Sequence, residues 1–162
     1  MFDLVLHQPQ IPPNTGNIIR LCANSGAGLH LIEPLGFDLD EKSCRRAGLD
    51  YRDMSVVTRW PNFDAFRNHR TKGKIWLITK FGEVCYSEAQ FSMDDAFVFG
   101  SEQHGLPHSV LQSVPKAQRL YLPMLAESRS LNLSNTAAII LYEAWRQHNF
   151  TNSQKVHSLE ID

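Results

Sequence analysis

The segment Ser128-Arg129-Ser130-Leu131-Asn132-Leu133-Ser134-Asn135 runs directly into Thr136–Trp145, and this junction constrains the chain more than any other stretch. A loop dense in hydroxyls and amides ends at the mouth of a helix that is apolar almost all round. Ser134 or Asn135 can cap that helix, because a side-chain oxygen accepts from the first free backbone N–H groups. One cap suffices to start a helix, which leaves Ser128, Ser130 and Asn132 unexplained. Two readings stand: an over-polar turn, or a cradle for a small polar ligand at the helix N-terminus. Within the helix, Ala137, Ile140, Leu141, Ala144 and Trp145 form one apolar stripe, and Ala138, Ile139 and Tyr142 cover much of the rest. So little polar surface asks for burial on two sides. The second side is either the chain's own core or another subunit.

Short continuous apolar runs predict buried strands at Leu4–Leu6, Leu29–Ile32, Val56–Thr58, Ile75–Thr79, Ala96–Phe99 and Leu120–Leu122. Helical patterns fall between them. In Asn14–Gly26, residues Ile19, Cys22, Ala23 and Gly26 recur at helical spacing, with Asn14 or Thr15 as candidate caps and Gly26 as a stop. Shorter helices are predicted at Asp40–Ala47, Asn62–His69 and Pro107–Val114. Strands alternating with helices mean an α/β fold, a largely parallel sheet flanked by helices. At 162 residues the chain suits one domain, over about 1–150, with a polar tail over 151–162 that is loose from about Asn149.

No apolar run reaches the ~18 residues of a membrane helix, and the N-terminus lacks the pattern of a secretory signal. Cys22, Cys44 and Cys85 are scattered, without a Cys-x-x-Cys pair, which fits neither a disulfide framework nor a zinc site. The expectation is a reduced, cytoplasmic protein with no metal. Net charge is −1, yet the segment 42–80 holds ten of 16 basic residues and only three of 17 acids, so it carries +7 and the remainder −8. That asymmetry reads either as a basic patch for phosphate or as a solvated face.

Two further stretches bear on the polar loop. One is Pro12-Pro13-Asn14-Thr15-Gly16-Asn17-Ile18-Ile19-Arg20-Leu21-Cys22-Ala23-Asn24-Ser25-Gly26; the other is Phe97-Val98-Phe99-Gly100-Ser101-Glu102-Gln103-His104-Gly105-Leu106-Pro107. The three blocks, in this order and spacing, resemble the three motifs of the SpoU-type branch of the SPOUT RNA methyltransferases, over Leu4 to about Gln147. Arg45-Arg46-Ala47-Gly48-Leu49-Asp50-Tyr51 and Tyr142-Glu143-Ala144-Trp145-Arg146-Gln147 resemble the compact subfamily that methylates the 2′-hydroxyl of the wobble nucleotide of tRNA. No Gly-x-Gly-x-x-Gly follows a strand and no phosphate loop is present, so dinucleotide and nucleoside-triphosphate folds lack their fingerprints.

The resemblance implies a C-terminal trefoil knot, a homodimer joined through the C-terminal helix, and S-adenosylmethionine as methyl donor. It implies tRNA as partner, with cytidine or a modified uridine at position 34 as target, in leucine tRNAs. It places Ile78, Thr79, Gly100, Leu122 and Ser130 around the donor. Catalytic roles fall to Arg20, Glu102, Ser130 and Asn132, and RNA contacts to Asn14, Arg20, Arg45, Arg46 and His104. Arginine stays protonated far above neutral pH, so Arg20 suits gripping a phosphate and orienting the hydroxyl better than accepting its proton. Glu102 suits accepting hydrogen bonds from backbone or from Arg20. The subfamily commonly reads Gly-Pro-Glu-Thr-Arg-Gly where this chain reads Gly100-Ser101-Glu102-Gln103-His104-Gly105, so His104 replaces a usual cation. Three alternatives remain open: the same chemistry on another RNA such as rRNA, a non-catalytic RNA-binding dimer, or an α/β protein that binds another adenosine compound.

Overall fold

The computed structural model describes residues 1–39 and 51–154. The predicted helix at 40–47, together with Arg45, Arg46 and Cys44, lies outside them. The strands are β1 (Asp3–His7), β2 (Gly28–Ile32), β3 (Val57–Trp60), β4 (Ile75–Ile78), β5 (Val84–Cys85), β6 (Ala96–Phe99) and β7 (Arg119–Tyr121). The helices are α1 (Pro12–Ser25), α2 (Tyr51–Met54), α3 (Phe63–His69), α4 (His108–Gln112) and α5 (Leu133–Gln147), with single 3₁₀ turns at Tyr86–Glu88 and Lys116–Gln118. The strands form one sheet in the order β3-β2-β1-β6-β4-β7-β5, and every pairing is parallel. The α/β expectation holds. The two-residue β5 and four-residue α2 are too short to leave a periodic signal, and neither was expected.

Alternation along each strand divides the core in two. Leu4, Leu6, Leu29, Leu31, Trp76, Ile78, Phe97 and Phe99 face one way and pack on Ile18, Ile19 and Cys22 of α1 and Ala137, Ile140, Leu141 and Ala144 of α5. Val5, Leu77, Ala96 and Val98 face the other way, onto Phe63 and Phe66 of α3 and Val110 of α4. Burial of both sheet faces is why these strands read as unbroken apolar runs. The apolar stripe of α5 is therefore spent on the chain's own core, with Ile140 fully buried, while Ile139 and Tyr142 stay 38% and 48% exposed. Cys22 sits on the buried face of α1, and burial pushes its thiol up to about 12, so it behaves as a small hydrophobe.

Helix ends depart from the local reading. α1 opens on Pro12 and Pro13 with Ile11 at the cap position and no side-chain cap; Asn14 and Thr15 sit inside its first turn. Proline suits that turn because its missing N–H would have had no helical partner. The stop is as expected: Gly26 takes φ 75° and its N–H reaches Cys22 O at 2.8 Å. α5 starts earlier than expected, and its cap is Asn132 rather than Ser134 or Asn135. Asn62 caps α3 by accepting from Ala65 N at 2.8 Å. Beyond α5 the chain is not loose at once. Trp145 Nε1 donates to Thr151 O at 2.9 Å, and the Phe150 ring lies 5.7 Å from that of Trp145. Residues 155–162 lie outside the description.

At the start of the strands, Asp3 accepts from Arg70 and faces His30 at 3.4 Å, while Trp60 Nε1 donates to His30 Nδ1 at 3.0 Å. Burial works against the Asp3 carboxylate, yet its hydrogen bonds to His30 and Arg70 hold it below the ordinary carboxylate value. This cluster ties β1, β2, β3 and α3 at the end of the sheet remote from the strands' carboxyl ends.

Two expectations follow from these packing facts. The Thr15 hydroxyl is fully buried with no hydrogen-bond partner, so Thr15→Val should raise stability by about 0.5–1 kcal/mol, read as a shift in urea midpoint. Burial holds His7 below the ordinary 6.5, so the unfolded chain takes up that proton first and stability falls as pH drops through and below that value. His7→Gln should flatten that part of a stability–pH profile.

Candidate functional site

Because every strand is parallel, the carboxyl ends of β1, β4, β6 and β7 open on one edge, where ligand crevices form in open α/β sheets. There lies a cavity of about 440 Å³. Its floor is Ile78 and Thr79 after β4, Gly100 after β6 and Leu122 after β7; its walls are Ser101–Leu106 on one side and Ser130–Leu133 on the other. Asn14 of α1, Thr136 of α5, Lys80 and Phe81 add to the lining.

The three sequence blocks meet here through side chains. Glu102 Oε2 accepts from Gln10 N at 2.8 Å, and its Oε1 accepts from Ile11 N at 3.2 Å and from Asn14 Nδ2 at 3.0 Å. The carboxylate thus supplies to α1 the cap that α1 lacks locally, at the end where the helix dipole favours negative charge. Asn14 Oδ1 accepts from Asn132 Nδ2 at 2.9 Å. Asn132 Oδ1 in turn accepts from Ser134 N at 2.9 Å and Asn135 N at 3.3 Å, opening α5. One chain of amides and one carboxylate joins the starts of two helices across the cavity mouth.

Gly100 is needed for a reason other than ligand approach. A Cβ there would fall 2.1 Å from Gly105 C and 2.3 Å from Leu106 N. The loop closes on itself through Ser101 N to Gly105 O at 3.2 Å and Gly105 N to Ser101 O at 2.8 Å, and Gly105 takes φ 68°. Its return arm therefore lies directly on Gly100. His104 sits at the loop tip, exposed, with its N–H donating to Ser101 Oγ at 3.3 Å.

Of the residues singled out from the sequence, Ile78, Thr79, Gly100, Leu122, Ser130, Asn14, Glu102, His104 and Asn132 all line the cavity. Arg20 does not. It is exposed on α1, six residues past Asn14, or about 9 Å along the helix axis. The hydrogen bonds to Glu102 come from backbone and Asn14. Among the described residues, most cations of the basic segment do not converge on the cavity. Arg59 pairs with Glu33 at 2.8 Å, Arg67 with Asp64 at 3.1 Å and Arg70 with Asp3. Among the described basic residues of that segment, Lys80 alone lines the cavity. Sequence reasoning missed Lys80 and Phe81, although an aromatic placed between lysine and glycine just after a strand was a usable signal.

A cavity of this size at strand ends, floored by backbone and ringed by amides and hydroxyls, suits a flat polar ligand with an apolar body. Among the described residues no group of histidine, cysteine and carboxylate side chains could hold a metal, and no helix is long and apolar enough to cross a membrane.

Comparison with known proteins agrees with this geometry. The model of the SpoU rRNA Methylase family matches residues 1–142. A tRNA (cytidine(34)-2′-O)-methyltransferase from Aeromonas hydrophila is 52% identical over 153 residues, spanning 94% of this chain and 98% of that protein. A structure described as giving insights into the 2-OH methylation of C/U34 on tRNA superposes with a TM-score of 0.83 at 41% identity, over 92% of this chain and 97% of that one. The SpoU methyltransferase AviRb from Streptomyces viridochromogenes, in complex with AdoMet, superposes with a TM-score of 0.74 at 26% identity, over 91% of this chain and 57% of that one.

The amide chain can be cut at one atom. Asn132→Asp keeps the oxygen that caps α5 but turns the donor toward Asn14 Oδ1 into a second acceptor. Stability should fall by about 1–3 kcal/mol although the cap survives, whereas an exposed Asn→Asp control elsewhere should change little. Urea unfolding of both variants checks this.

Proposed function

The chain belongs to the SpoU rRNA Methylase family, and on that premise we propose that it methylates the ribose 2′-hydroxyl of the wobble nucleotide, position 34, of tRNA, with S-adenosylmethionine as methyl donor. The observation that carries the reading is the convergence of all three motif blocks on one cavity, in a chain 52% identical to a tRNA (cytidine(34)-2′-O)-methyltransferase over nearly the full length of both. The cavity residues fit the donor. Backbone at Ile78, Gly100 and Leu122 borders the space for a nucleoside, and Ser130 and Asn132 bring polar side chains to an amino-acid end. Bound there, S-adenosylmethionine supplies a methyl group on a sulfonium, a leaving group that needs no metal.

The protein's task is alignment and charge management. The ribose oxygen must lie in line with the methyl–sulfur bond, which rewards a rigid wall around the reacting atoms. Glu102 and Asn14 provide that rigidity by fixing the start of α1 to the loop after β6. Ser130 and Asn132 hold the opposite wall. The new bond is ribose O–CH₃; the broken bond is C–S, whose electron pair stays on sulfur. The hydroxyl proton leaves to a substrate phosphate oxygen or to water. Arg20, always charged, grips the phosphate beside the target ribose and steadies the developing oxyanion. Its place outside the chain's own cavity suits a contact made on RNA that reaches over α1. His104, at the exposed loop tip, supplies a second RNA contact, and the family resemblance assigns further RNA contacts to Arg45 and Arg46.

The finer expectations belong to the same proposal. A trefoil knot is supported by the return of α5 onto α1 and β6 after the chain has passed along the cavity through residues 122–132. A homodimer through α5 is supported by the exposed Ile139, Tyr142 and Phe150. Cytoplasmic residence is supported by the free Cys22 and Cys85 and by the proposed tRNA substrate. Leucine tRNAs as the preferred substrates rest on the family resemblance.

The deciding experiment is methyl transfer from labelled S-adenosylmethionine to bulk tRNA lacking this modification, followed by nucleoside mapping. Label at position 34, concentrated in leucine isoacceptors, is the expected result; label only in rRNA would sink the proposal. Arg20→Ala should lower turnover by about 100-fold with S-adenosylhomocysteine affinity preserved. Ile139→Glu should shift the species seen by light scattering from dimer to monomer, and an unchanged mass would remove α5 from the interface.

A further inference from the structure

We propose that Phe81 and Lys80 are the seat of the target nucleotide: the Phe81 ring stacks on its base and the Lys80 ammonium takes an adjoining phosphate. The inference rests on the reading of the cavity as a tRNA methyl-transfer site. Phe81 stands at the cavity rim with 70% of its surface exposed. A phenylalanine left open beside a ligand cavity has apolar area to bury and no partner within the fold that buries it. The Lys80 ammonium lies 5.1 Å from the ring centroid, so the charge travels with the ring face rather than away from it.

The turn carrying them is stiff. Thr79 N donates to Leu120 O at 2.9 Å, Gly82 N to Thr79 O at 3.1 Å, and Glu83 N to Arg119 O at 3.0 Å. Phe81 N donates to Thr79 Oγ1 at 3.3 Å. A Cβ on Gly82 would fall 2.4 Å from Leu120 C, so the turn lies flush on β7 and glycine permits that approach. The ring is held outward by a pinned backbone. A rigid exposed ring with a cation beside it is the chemistry that receives an unstacked base and its phosphate, as in single-strand recognition. Stacking is tolerant of base identity because every base has a π face, which suits a site that takes either pyrimidine. The reacting 2′-hydroxyl is on the sugar, so a platform for the base positions the ribose without touching the reacting atoms.

The test is a fluorescence titration of an anticodon stem–loop RNA carrying pyrrolocytosine at position 34, run alongside S-adenosylhomocysteine calorimetry and methyl transfer to tRNA. Wild type should quench the fluorophore. Phe81→Ala and Phe81→Leu should lose the quench and weaken RNA affinity by about tenfold to a hundredfold. Phe81→Trp should restore both, and S-adenosylhomocysteine affinity should stay unchanged throughout. Lys80→Ala should weaken RNA binding and lower its salt slope by about one. The inference is overturned if Phe81→Ala quenches as wild type does, or if S-adenosylhomocysteine affinity falls in step, which would assign the ring to the donor. Wild-type protein that quenches but never methylates tRNA would support the seat and reject the proposed function. Wild-type methylation at position 34 with Phe81→Ala unaffected would reject the seat alone.

Discussion

The hydrogen bonds that run from Glu102 through Asn14 to Asn132 hold the molecule's working end together. Each member is ordinary alone. In series they bind the loop after β6, the first turn of α1 and the first turn of α5. Glu102 takes three donors and Asn132 opens a helix with one oxygen while donating with its nitrogen. A polar chain of this kind, running from the half-buried Glu102 through the buried Asn14 to the exposed Asn132, is rigid when its members satisfy one another. Here each of the three side chains is bonded to the next, so the cavity walls are fixed by side chains rather than left to loops.

The two ends of the sheet divide the labour. At the amino ends, Asp3, His30, Trp60 and Arg70 form a compact charged and aromatic knot whose partners are all internal. Charge there is neutralised and serves stability. At the carboxyl ends the polar groups face a cavity. Parallel pairing enforces this separation, because it places all strand exits on one edge and the crossovers over both faces.

Much of the fold was legible because it rests on short-range pattern. Buried parallel strands announce themselves as apolar runs, and β6 coincides with Ala96–Phe99. Gly26 could be read as a helix stop because only one residue's φ was at stake. The misreadings share a cause. Caps were sought among neighbours, yet α1 is capped by a carboxylate 91 and 92 residues away from the backbone groups it receives, and no local window contains that fact. Gly100 was recognised as special, but the constraint is the chain's own returning loop. The site residues themselves came from motif resemblance, which places Glu102, Asn14 and Asn132 together but does not reveal that they bond to one another. Arg20 shows the converse: membership in a motif placed it near the chemistry, while the helix carries it off the cavity.

The bond between Asn14 and Asn132 closes a span of 118 residues. Contacts so distant form late and slowly, since the intervening chain must be ordered before they reward it. During synthesis, a nascent polypeptide can assemble the early strands and the loop after β6 while α5 is still inside the ribosome. Such a chain has a floor but no far wall, and the residue that starts the last helix is the same one that finishes the pocket. Maturation and competence therefore coincide. A product that ends before Asn132 lacks both the start of α5 and the far wall of the cavity.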